Sequence, residues 1–158
     1  MVSRLNIWYS LKVIKPHQTQ MTLTAVPIEI AAELSQKCLD YITELVEDNY
    51  ALDDILEFLK EYNGDDLIAY YVDYVIQGDK VGFDVVDAFL EENDISDVAR
   101  VEDIYMGQYN SEADFAENYF NDIMDVPSAL VIDWADTFQQ SLGYDYEYID
   151  GCVFQLNW

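Results

Sequence analysis

Between residues 29 and 158 the chain carries 32 Asp and Glu against four Lys or Arg, a net of −28. Residues 1–28 are the reverse: they hold no acid and three bases, Arg4, Lys12 and Lys15. A positively charged start thus precedes a strongly anionic body. The stretch DVVDAFLEENDISD, residues 84–97, concentrates the problem. Six carboxylates and no cation lie among Val85, Val86, Ala88, Phe89, Leu90 and Ile95, which are apolar enough to bury. Asp84, Asp87 and Glu91 recur at i, i+3 and i+7 on one helical stripe, where each close pair of like charges costs about 0.2–0.5 kcal/mol. A fold that keeps such stripes accepts a cost, and the cost asks for a reason.

A hydrophobic content of 51% with 15% aromatics is ample for a core in 158 residues, which argues against disorder. No apolar run approaches the roughly 18 residues of a membrane span, and no signal peptide is legible, so the chain reads as soluble and cytoplasmic. Cys38 and Cys152 lie far apart without a Cys-x-x-Cys, and read as two buried thiols in a reducing compartment. No metal, cofactor or catalytic residue is expected. DYEYIDG departs from a calcium loop: Ile149 stands at a ligand position, Gly151 is one place late, and Leu156 stands where the loop needs Glu. Phosphate-binding and nucleophile motifs are missing, and the lone His17 sits among basic and polar residues, reading as a surface loop residue.

Along the chain, residues 4–26 read as strands or a loose hairpin around KPHQTQ. Pro27 opens a helix running to about Glu47, with Ile30, Leu34, Cys38, Tyr41, Ile42 and Leu45 on its apolar face. A second helix spans about Leu52 to Tyr62, placing Leu52, Ile55, Leu56 and Leu59 inward and Asp53, Glu57 and Glu61 outward. The segment Asp65–Ile76, ended by Gly78, reads as the most buried helix, and the acidic stretch from Asp84 follows as a fourth. Residues 93–109 read as irregular, with a short turn at SDVAR.

Ser111 with Asp114 resembles a capping box that starts a helix with Phe115, Ala116, Tyr119, Phe120, Ile123 and Met124 inward. Glu112, Asp114, Glu117, Asp122 and Asp125 occupy its other side. Pro127 opens another helical stretch to about Leu142, closed near Gly143. Finally YEYIDGCVFQL alternates on both sides of Asp150-Gly151, the dipeptide of a two-residue type I′ hairpin. These elements predict an α+β fold, a mostly helical acidic body with an N-terminal strand or hairpin region and a C-terminal β-hairpin. The segments are 1–49 with the first helix, 50–101 as an acidic helical middle domain, and 102–158 as a C-terminal domain.

A surface so anionic repels phosphates, so the body is not expected to bind nucleic acid. The plain reading is a solvated face that serves solubility or tolerance of high salt. Ordinary solvated helices interleave Lys with Glu, however, and these outer sides have almost none. Duplex DNA carries one charge per roughly 1.7 Å, so a net of 28 corresponds to about 48 Å, on the order of 14 base pairs. Carboxylates at i and i+4, about 5–6 Å apart at Cβ, can imitate successive phosphates in a basic groove. The candidate mimic surface is Asp53, Glu57, Glu61, Asp84, Asp87, Glu91, Glu92, Asp114, Glu117 and Asp122.

One family has a similar C-terminal half. EDIYMGQYNSEADFAENYFNDI followed by VPSALVIDWADTFQQSLGYDYEYIDGCVF resembles the ArdA antirestriction proteins of phages, plasmids and conjugative transposons. The matching positions are Glu102, Tyr105, Gly107 and Tyr109; Phe115 and Ala116; Pro127 and Leu130; Ile132, Asp133, Trp134, Phe138 and Leu142; and Gly151, Val153 and Phe154. Phe115, Tyr119, Phe120, Trp134 and Phe138 are expected in the core, and Gly107 and Gly151 at backbone turns. The resemblance covers about residues 50–156, while residues 1–49 lack the family's usual opening. It implies an elongated α+β homodimer in the bacterial host cytoplasm, whose carboxylates imitate bent duplex and block type I restriction–modification enzymes. Two other readings compete. One aims the mimicry at a CRISPR effector or a nucleoid protein, and the other is a carboxylate-based enzyme or divalent-cation binder.

Overall fold

A computed structural model of the chain describes residues 26–156 and shows a mostly helical α+β fold with one small antiparallel sheet. The expected N-terminal strands, with Arg4, Lys12, Lys15 and His17, lie outside the described residues. Two compact units are present, Met1–Ile68 and Ala69–Trp158. Among the described residues no helix is long and apolar enough to cross a membrane.

In the first unit, α1 (Ile28–Ala31), α2 (Gln36–Glu47) and α3 (Leu52–Glu61) precede the start of α4 (Gly64–Val81). The single helix expected from Pro27 to Glu47 is two. Ile30, Leu34 and Cys38 keep the helical period across the break, but Ser35 starts afresh in extended conformation, its hydroxyl accepting the Cys38 N–H at 3.2 Å. Cys38, Ile42 and Leu45 are buried on α2, and Ile55 and Phe58 on α3. Phe58 takes the inward place expected of Leu52, Leu56 and Leu59, which are half-buried.

Helix α4 does not end at Gly78. A Cβ there would fall 2.3 Å from the Phe83 ring, so this glycine makes room for a neighbouring aromatic and the helix continues to Val81. Nor is α4 the most buried helix. Its Ile76 is exposed, whereas the next helix, α5 (Phe83–Glu92), buries Val85, Val86, Ala88 and Phe89.

The second unit is built on a sheet of order β1-β3-β2, formed by β1 (Tyr105–Gln108), β2 (Tyr146–Ile149) and β3 (Cys152–Gln155). Strands β2 and β3 form the expected hairpin: Ile149 pairs with Cys152, and Asp150 and Gly151 hold φ of 45° and 85°, both positive as a type I′ turn requires. Residues 93–109 prove ordered. They form a 3₁₀ turn (Ile95–Arg100), α6 (Val101–Ile104) and β1. The buried amide of Gln77 pins the first two, donating to the Ala99 carbonyl at 3.1 Å and accepting the Glu102 N–H at 2.8 Å. Gly107, at φ 126°, sits at a register shift inside β1, where a turn was expected.

Successive side chains of a strand point to opposite faces. On central β3, Val153 joins a cluster with Phe115, Ala116, Phe138 and Leu142, while Phe154 packs against Phe89 in a tilted ring pair with centroids 5.3 Å apart. Helix α5 therefore covers one face of the sheet, and α7 (Glu112–Ile123) covers the other together with the residues around Phe138. The stretch from Pro127 to Leu142 is not one helix. Asp133 caps its helical part by accepting the Asp136 N–H at 3.0 Å, so α8 (Trp134–Thr137) begins only there. It passes into a π-helical turn, Phe138–Leu142, closed at Gly143, and that turn sets Phe138 and Leu142 in the core. Ile123 and Met124, expected inward on α7, are exposed.

Candidate functional site

All 32 carboxylates fall within the described residues and none is buried; the buried polar side chains there are Thr43 and Gln77. An ionised carboxylate without a partner is too costly to bury, so the charge has been displaced to the outside of each element. In the first unit Asp53, Glu57 and Glu61 are exposed at successive i+4 positions of α3, on the side away from Ile55 and Phe58. Glu57 pairs with Lys60 at the surface, an interaction worth little in water.

In the second unit Asp84, Asp87, Glu91 and Glu92 are exposed on α5. Two of them have neutral donors: Asp87 accepts from the Tyr74 hydroxyl at 2.8 Å, and Asp84 from the Gln108 amide at 3.5 Å. Such donors orient the carboxylates and leave their charge in place. Glu117 and Asp122 are exposed on α7. Asp114 differs. The Ser111 hydroxyl accepts the Asp114 N–H at 3.1 Å as a capping box requires, but the Asp114 carboxylate turns to Asn110 instead of Ser111. It accepts the Asn110 backbone N–H at 3.0 Å, the Asn110 amide at 2.9 Å and the Asn118 amide at 3.1 Å. These bonds, the backbone N–H foremost, hold its carboxyl below the usual carboxylate range. Asp114 is thus a helix-start residue that also carries charge.

The ten nominated acids do not form one set. Three belong to the first unit and seven to the second, and within the second the α5 and α7 groups stand on opposite sides of the sheet. No match to this chain is found among protein-family models, curated proteins or solved structures.

Acids not nominated add to the charge of the second unit. Glu102, Asp103, Glu112 and Glu147 lie in the second unit, none of them buried. A count from Arg100 onward would have found them, because residues 101–158 contain 12 acids and no Lys, Arg or His. The unit as a whole holds 20 acids against Lys80 and Arg100, a net of −18. Both bases sit in surface ion pairs, Lys80 with Glu102 and Arg100 with Asp97. A net of 18 corresponds to about 31 Å of duplex, roughly nine base pairs.

The two cysteines are buried free thiols, as expected, and burial pushes both above the usual thiol range. Among the described residues no three His, Cys, Asp or Glu side chains are grouped to hold a metal ion.

Proposed function

We propose that this protein is a non-enzymatic DNA mimic that occupies the DNA-binding groove of a bacterial host defence enzyme, with type I restriction–modification the favoured target. The observation that carries the reading is the second unit: 20 acids against two bases, none of the acids buried, with four of them on α5 and four on α7, the helices that cover opposite faces of the sheet. Solubility alone does not ask for this. Ordinary helical surfaces offset like charges with i, i+4 Lys, whereas the second unit has only Lys80 and Arg100.

Carboxylates on both faces suit one kind of target. A duplex carries phosphate around its whole circumference, so a protein that encircles DNA meets charge from several sides. A unit acidic on two opposite faces fits such a channel better than a flat basic patch, which would leave one face unused. Affinity would come from release of counterions held by the cleft and from fast electrostatic steering, both weakened by salt. The likeness to ArdA over residues 102–156 supports the same target class, and the cytoplasm is the compartment where that target acts.

The test is equilibrium competition. Purified protein is titrated into a type I restriction–modification methyltransferase holding a fluorescent duplex, at low and at high salt. The expected result is duplex release at low salt that fades as salt rises. Unchanged duplex binding at low salt would remove this target.

A further inference from the structure

The loop between α7 and α8 does something that charge imitation alone does not require. Phe120 and Trp134 stack with ring centroids 6.0 Å apart, so the end of α7 (residues 121–123) and the loop that follows it (residues 124–133) leave and rejoin the body at neighbouring points. Compact surface loops with close ends are frequently functional. Between those anchors the chain exposes large apolar side chains: Ile123 at 58%, Met124 at 51%, Leu130 at 60% and Val131 at 102%. Asp122, Asp125 and Asp133 are exposed around them, and the loop has no cation.

We infer that this loop is a docking epitope for a protein partner whose surface is both cationic and apolar, a basic rim flanking an apolar recess. The charge sets the occupant. The body of a second copy, residues 29–158, would bring a net of −28 against these aspartates, whereas a basic partner is attracted to them while the recess buries Leu130 and Val131. Duplex DNA has no projecting aliphatic side chains, so contacts made by the loop would let the protein favour one basic cleft over others. The inference rests on the mimic reading for its choice of partner, but its test does not use the restriction enzyme.

The probes are two helical peptides of equal length and charge, one amphipathic with Lys and Leu, the other with Gln in place of Leu. The full-length protein should bind the Lys/Leu peptide about tenfold more tightly than the Lys/Gln peptide. L130Q/V131Q, changed only at exposed positions, should lose that preference and keep the Lys/Gln affinity, while I76Q, at an exposed residue outside the loop, should retain the preference. A melting curve like wild type confirms that the loop variant is folded. Equal affinity of the wild type for both peptides, or a preference that survives L130Q/V131Q, would overturn the inference. So would a wild-type dimer in sedimentation that dissociates in L130Q/V131Q, because the loop would then be covered by a second copy. Failure of duplex competition with an intact peptide preference would sink the enzyme target and leave the epitope standing.

Discussion

Helix α5 and the segment 121–133, the end of α7 with the loop after it, use similar residues to opposite ends. Both mix aliphatic side chains with aspartates and contain no cation. In α5 the apolar side chains have a sheet to meet: Val85, Val86, Ala88 and Phe89 are buried, and Asp84, Asp87 and Glu91 stay outside. In the loop Leu130 and Val131 stand in water beside Asp125 and Asp133. Apolar character therefore does not decide burial here. What decides it is whether the backbone brings the side chain to a partner surface, and the sheet is covered by α5 on one face and by α7 with the Phe138 turn on the other.

The largest test of that contrast is truncation. Phe89→Ala, which removes a buried ring packed on Phe154, is expected to cost about 3–5 kcal/mol in urea unfolding. Val131→Ala should fall within about 0.5 kcal/mol of wild type. Equal costs at the two positions would show that the loop is packed after all. Next comes Gly151→Ala, which forces a side chain into the left-handed region of the hairpin and should cost about 1–2 kcal/mol by the same measurement.

Neutralising the α5 stripe should work the other way. The triple change Asp84→Asn, Asp87→Asn, Glu91→Gln relieves like charge and is expected to raise stability by about 0.2–0.5 kcal/mol per close pair at low salt. Salt should shrink the gain, because it already screens the wild type. A stabilised variant that also binds its target less tightly would show that the stripe is kept for binding at the expense of stability.

The smallest effect is at Asp114. Its carboxyl is held below the usual range, so its contribution to stability is present above that range and is lost as pH falls through the lowered value. Wild type should melt higher than Asp114→Asn at neutral pH, and the gap should close on acidification. A gap independent of pH would assign the loss to geometry instead of charge.

Features set by neighbouring residues could be read from the sequence. The hairpin follows from Asp150-Gly151 because a two-residue turn imposes its own backbone angles, and α5 follows from its apolar spacing. The misreadings occur where a local signal competes with periodicity. Ser35 breaks a helix whose apolar period runs on, and Asp133 delays a helix that Pro127 could have started. Gly78 and Gln77 answer to tertiary partners, Phe83 in one case and the backbone at Ala99 and Glu102 in the other, and no local pattern reveals those. The acidic residues were legible as outward-facing, since charge avoids the interior. Their division between two faces of a sheet was not, because β1 was not foreseen and the sheet is what separates α5 from α7.

In the proposed function, distributed carboxylates on both faces carry the binding. That role is tested most directly by dissociation constants for a type I methyltransferase, using wild type and variants neutralised on α5 alone, on α7 at Glu117 and Asp122, and on both. Neutralising each set is expected to weaken binding, the losses should multiply in the combined variant, and the salt dependence should become shallower with each set removed. Binding unchanged in the combined variant, or abolished by a single one of these residues, would contradict that role.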